Sequence, residues 1–420
     1  MSTKRWLGNA NAIADVWTIS LSGTVTSQTY TVTINAKTIQ FVSGVSDTVN
    51  TVLTGLQAAW SSISPSPPVE FTELTALGLP VGGPFTTLQL TGNTLGKPST
   101  ITVSNGGGAS TFSIAHTTSA TGPNDFTNGA NWSGGSAPAN SDTLVFDNGS
   151  IPCKYNLGSS LTGVTVSIEP AYSGQIGLPF INSDNTTTYA EYRTTSLTLA
   201  GGTVLVNSTG ISRCNLAFGA NTATVRVLNT GSRPDPNTPV VLIIGGNGSS
   251  ELDITKGDVG LSFYQGTTAT VPTIKTGFAN NALSDVSLII GVGATLTTIT
   301  KSGGYLSTRS TITTLNQDVG AGTVDLLDSV GVTTVNQYAG TVNYSTNGTI
   351  GTINAYAKAI VNFDADPRAI TLTNPINIYS SGVTVNDSQK RVNSGTLSIA
   401  MNGASSVVYN HGANNTLVLT

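Results

Sequence analysis

The chain has 420 residues, with 17 Lys and Arg against 21 Asp and Glu and a net charge of −4. Charged residues are 9 % of the total, against about a quarter in ordinary soluble proteins, and no Lys/Arg run supplies the basic face that nucleic acid requires. No apolar run reaches the ~18 residues of a membrane-spanning helix, so neither nucleic acid nor a membrane is expected as a partner. Thr, Val and Ile favour strands, while Gly and Asn favour tight turns, so the composition reads as mainly β. Cys153 and Cys214 are the only cysteines. Two cysteines make neither a disulfide framework nor a metal spacing, and both are expected as buried thiols.

Four parts follow in chain order. Residues 1–14 read as a polar arm with an exposed Trp6, and such an arm is either disordered or docks onto a neighbour. Lys4, Arg5 and Trp6 are its expected anchoring residues. The first residues lack the apolar core of a signal peptide, so synthesis in the cytoplasm is expected.

Residues 15–115 read as a small α+β, β-sandwich-like attachment domain. Tyr30, Val32 and Ile34 alternate on one face, and Ile39 and Phe41 follow a turn at Asn35-Ala36-Lys37, which makes a hairpin. A helix follows, with Asp47 as the expected cap and Val49, Val52, Leu53, Leu56 and Trp60 on its apolar face. Ser64-Pro65-Ser66-Pro67-Pro68 ends it. Residues 116–150 form a connector in which Trp132 and Phe146 are expected to cap a solenoid, because an open end exposes apolar side chains and strand edges.

Residues 151–420 carry repeats. Ile299, Leu315, Val335 and Ile353 align as one strand position, and Leu306, Val324, Val342 and Val361 as a second, at spacings of 18, 18 and 19. A near-fixed period of this length is a solenoid signature. The expected fold is a single-stranded parallel β-helix with the right hand as the expected form. Coils of this length give about fourteen turns and a rod of about 65–70 Å at the ~4.8 Å strand spacing. Asn316, Asn336 and Asn354 follow the first anchor and should stack as a ladder, with Gln317 above Gln337. The strand-like end, Thr416 to Thr420, suggests self-association, with a homotrimer as the expected assembly.

Catalytic chemistry is sparse. His116 and His411 lie far apart, and no metalloprotease, nucleophile-elbow, phosphate-loop or zinc pattern occurs. Solenoid hydrolases use paired carboxylates, for which Glu251, Asp253 and Asp258, Asp325 and Asp328, or Asp364 and Asp366 are the candidates. Carboxylates of this kind are ordinarily surface turn residues, so no enzyme, cofactor or metal is expected. Tyr305, Tyr338, Tyr344 and Tyr356 could line a glycan-stacking strip, although stacking for stability is the plainer reading of Tyr338 and Tyr356.

Thr29-Tyr30-Thr31-Val32-Thr33-Ile34-Asn35 with the helix of residues 47–60 resembles a small module of tailed-phage virion proteins. Asn131-Trp132-Ser133-Gly134-Gly135-Ser136-Ala137-Pro138 resembles the start of passenger-like β-helices of adhesins. The order of parts from Lys4-Arg5-Trp6-Leu7-Gly8-Asn9-Ala10 onward is similar to β-helix proteins of phages and prophages. The resemblance implies a virion protein, decorating or cementing a capsid against the major capsid protein or another virion protein. The alternative it leaves open is a tailspike or receptor-binding fibre that binds, and could cleave, host glycans. It transfers no catalytic residue.

Overall fold

The computed structural model describes residues 2–62, 66–184, 187–231, 237–277, 285–318, 322–412 and 416–420. The polar start of the chain does not remain a free arm. Thr3–Arg5 pairs in parallel with Thr143–Phe146 and forms a rung beneath the first solenoid coil. Trp6 is 3 % exposed and meets the Trp132 ring edge-on at 5.1 Å. Phe126, Phe146 and Tyr172 extend this aromatic cluster. The Trp6 indole N–H donates to the Ile151 carbonyl at 2.9 Å, and that of Trp132 to the Phe126 carbonyl at 2.8 Å. The expected exposed Trp6 is thus corrected: Trp132 and Phe146 form the cap foreseen from sequence, and Trp6 completes it by covering the open apolar end. Lys4 is likewise buried, with its ammonium on Ser136, and Arg5 pairs with Asp147. Lys4 and Trp6 are therefore spent on the solenoid end and cannot reach outward as anchors.

The small domain holds two antiparallel sheets. One runs Leu74–Leu79, Thr87–Gly92, Val16–Ser22, Thr111–Thr118, and the other Lys37–Val42, Thr29–Ile34, Thr102–Ser104. The hairpin stands as read. Tyr30, Val32 and Ile34 are fully buried, and Asn35 and Ala36 take positive φ at the turn, as a two-residue hairpin loop of this hand requires. The helix spans Val49–Trp60 and buries Val52, Leu53, Leu56 and Trp60. Its cap is Thr48, which exchanges side-chain bonds with Thr51, and not Asp47. The Asp47 carboxylate instead accepts from the Gly44 N–H at 2.6 Å, tightening the turn before the helix. The helix closes at Ser61, whose N–H bonds the Gln57 carbonyl; Ser64 and Pro65 of the proposed stop lie outside the described residues.

This domain does not hang from a linker. Glu73 receives Lys97 at 2.7 Å on one oxygen and Arg193, from the solenoid, on the other. Arg193 also pairs with Glu191 at 2.9 Å and lies 4.2 Å over the Tyr192 ring. A desolvated guanidinium held by two carboxylates and an aromatic face is a geometrically specific clamp.

From residue 143 onward the chain winds about 11 turns of a parallel β-solenoid with two main sheets. Ile299, Leu315, Val335, Ile353, Ile376, Ile399 and Leu419 stack in one column. Leu288, Leu306, Val324, Val342, Val361 and Val385 stack in the other. Both aligned columns of the sequence reading therefore hold. The turn count falls short of the expected fourteen because many coils are longer than the central ones. The asparagines that stack between coils are 20 and 18 residues apart at the centre, and 23 and 25 toward the end. These four amide bonds, 2.8–3.0 Å long, run from Asn316 through Asn336, Asn354 and Asn377 to Asn402. The expected Asn ladder is present and longer than foreseen. Gln317 and Gln337 do stack, but both face inward and are fully buried.

Candidate functional site

The four tyrosines do not assemble into one strip. Tyr344 is fully buried inside the coil against Phe363, with ring centroids 4.9 Å apart. It cannot touch a glycan, and burial pushes its phenol far above the ordinary value. The alternation of a strand accounts for this: Tyr344 sits two residues after inward-facing Val342 and shares its face. Tyr305 lies on the other sheet from Tyr338 and donates to Asp325 at 2.7 Å. Tyr338 and Tyr356 stack at 4.5 Å, and Tyr379 continues the stack at 5.0 Å. Their ring faces cover one another, so only ring edges and the two outer faces of the stack meet solvent. The arrangement braces three coils.

Most of the candidate carboxylates have partners of their own; Glu251 is exposed, and Asp364 accepts from the Gln389 N–H at 3.3 Å. Asp253 lies in register between Arg226 and Lys275. Asp325 accepts from Asn343 at 2.7 Å, and Asp328 pairs with Arg309. Asp366 is held by Arg368 at 2.8 Å, and that hydrogen bond keeps its carboxyl below the usual range. Asp258 accepts from the Val240 N–H at 3.1 Å. Cys153 and Cys214 flank Ile176 in one column, both fully buried as expected. Burial pushes the Cys214 thiol up to about 12 and raises that of Cys153 as well. Among the described residues, no group of three or more His, Cys, Asp and Glu side chains is placed to hold a metal ion.

The structure brings together two sets of residues that lie apart in sequence. The first is built on Asp15, fully buried. Its carboxylate accepts from His116 at 2.7 Å, from the Trp17 indole at 2.8 Å, and from the backbone N–H groups of Ser99 and Ala120 at 2.8 and 2.9 Å. Burial acts to raise this carboxyl, but the bonds from Ser99, His116, Trp17 and Ala120 outweigh it and hold it below the usual range. Trp17 stacks on the His116 ring at 3.9 Å. His116 walls an open cleft of about 520 Å³ between the small domain and the solenoid, with Ser119, Asn156 and Thr194. An Asp-oriented histidine is half of a hydrolytic constellation. Among the described residues no hydroxyl bonds to His116, so the pair reads as a brace joining both strands to the connector.

The second is a cleft of about 330 Å³ on the solenoid flank, lined by Phe180, Tyr264, Arg213, Asn215, Ser212 and Thr238 among others. Asn215 projects outward from the strand Cys214–Ala217, and its amide nitrogen donates to the Leu178 carbonyl at 2.8 Å. That bond pins the loop that presents Phe180. Gly177 allows the close approach: its φ is +103°, and a Cβ there would lie 2.6 Å from the Thr195 carbonyl oxygen. Phe180 and Tyr264 then pack face to face, tilted, with centroids 4.2 Å apart. Gln175 ties the polar side together, accepting from Arg213 at 3.1 Å and donating to Ser212 at 3.0 Å. The Asn215 side-chain oxygen is buried and, among the described residues, has no hydrogen-bond partner. Both aromatics sit in irregular segments without periodicity, so the pattern reading that found the coils had no signal for them.

Comparison of the chain with protein-family models, with curated proteins and with solved structures returns no match.

Proposed function

We propose that the chain is a non-enzymatic structural protein of a virus particle, made in the host cytoplasm and decorating or cementing the capsid surface while the solenoid projects. The observation that carries this reading is the single apolar core that runs from Trp6 at the capped end to Ile399 near the other. A stack in which each coil pairs its backbone with the next has few segments able to open alone, which suits an exposed, protease-facing position. With Lys4 and Trp6 committed to the cap, attachment to the major capsid protein or another virion protein passes to the small domain, where Val42, Val45 and Val81 are exposed. Self-association, as a homotrimer, belongs to the same reading. The second reading, a receptor-binding spike, is favoured by the aromatic cleft on the solenoid flank. Particles purified on a density gradient test the proposal. The chain should co-sediment with intact particles at a fixed ratio to the major capsid protein; recovery only in the soluble fraction would reject it.

A further inference from the structure

We infer that the flank cleft is a binding site for a neutral sugar ring, with Phe180 and Tyr264 as the stacking platform and the Asn215 amide oxygen as an acceptor for a sugar hydroxyl. Three features converge. The volume, about 330 Å³, lies at the small end of ligand pockets, which run from about 300 to 1,000 Å³. The half-buried Phe180 and Tyr264 line the cleft and pack on each other at a tilt, so the ring surface they offer to the C–H face of a pyranose is the part each leaves uncovered by the other, and their mutual packing fixes it before a ligand arrives. The Asn215 oxygen is a buried acceptor that no donor among the described residues meets. Such an atom costs free energy until a donor meets it, and a hydroxyl-rich ligand brings donors.

Other ligand classes fit less well. A phosphate-bearing ligand needs concentrated cations, and the cleft has Arg213 alone, already engaged with Gln175. An extended peptide would need an open strand edge, whereas Cys214–Ala217 is paired on both sides, by Leu197–Asn207 and Val241–Ile244. The site differs from the tyrosine ladder in being a cleft, with a polar wall of Ser212, Arg213, Asn215 and Thr238 beside its aromatics. This inference rests on the spike reading for its biological setting, but it is tested on the isolated full chain, so failure of particle attachment and failure of sugar binding are read separately.

The probes are immobilised gluco-, galacto- and manno-oligosaccharides, followed by calorimetry with the series retained. Wild-type protein should retain at least one series. Tyr264→Ala and Phe180→Ala should each weaken binding by about tenfold or more, while Tyr338→Ala in the ladder leaves it unchanged. Thr238→Trp, which fills the cleft from its rim, should abolish binding and guards against a folding defect in the alanine variants. Retention of none of the three series by wild type would overturn the inference. So would undiminished binding by Thr238→Trp with native circular dichroism.

Discussion

Replacing Lys301 with Met should stabilise the solenoid at neutral pH and remove a rise in stability that the wild type shows on going alkaline. Lys301 lies two residues after Ile299 on the inward side of its strand and is fully buried. Thr276 lies below it in the stack and Gln317 above, and a Cβ at Gly322 would lie 2.5 Å from its ammonium nitrogen. None of these is ionisable, and among the described residues that nitrogen has no hydrogen-bond partner. Burial alone pushes the group from 10.5 down to about 8. At about 1.4 kcal/mol per factor of ten, that displacement is worth about 3 kcal/mol. The folded value lies below the unfolded one, so between about pH 8 and 10.5 the unfolded chain holds more protons, and stability rises with pH across that window. Below pH 8 the full penalty is present. Met keeps the length and volume without the charge. Urea unfolding of both proteins at closely spaced pH from 7 to 9.5 gives the difference directly, and other alkaline titrations cancel in it. The variant should lead at pH 7 by up to about 3 kcal/mol, with the lead shrinking above pH 8. A constant lead, or a lower midpoint for Lys301→Met at pH 7, would refute the placement of a lone amine inside the coil.

Three further outcomes follow from packing. Val342→Asp puts a carboxylate between Val324 and Val361 in the second column, where an unpaired charge costs several kcal/mol; an unchanged melting temperature would mean the column is wrong. Trp6→Ala opens the capped end and should cost about 3–5 kcal/mol, read as a lower melting temperature with faster proteolysis near the N-terminus; a fully stable variant would show that the cap is dispensable. Cys153 and Cys214, with thiols raised by burial, should resist an aromatic disulfide reagent at pH 8 until denaturant is added, and rapid labelling of native protein would contradict their burial.

The central coils were legible because their anchors recur at nearly constant spacing and each strand alternates inward and outward. That same alternation also fixes which polar residues face inward. Inward Val342 places Tyr344 inside, and inward Ile299, Leu315 and Val335 place Lys301, Gln317 and Gln337 inside, so their burial was present in the parity. The cap was only half legible. Trp132 and Phe146 sit at the start of the coils, but nothing local marks Trp6 as their partner, and only parallel pairing of Thr3–Arg5 brings it there. The Asp15–His116 pair and the Glu73–Arg193 clamp join residues 101 and 120 apart, and separations of that size leave no periodic trace. The coil count erred for a related reason: long excursions between strands, such as the one carrying Phe180, add residues without adding turns.

The most direct test of the structural role is immunogold electron microscopy of particles released from producing cells, with antibody raised against the folded full chain. Label spread evenly over the particle heads is the predicted result. Label confined to the tail tip would replace decoration with the spike reading, and particles that carry no label at all would contradict a virion role.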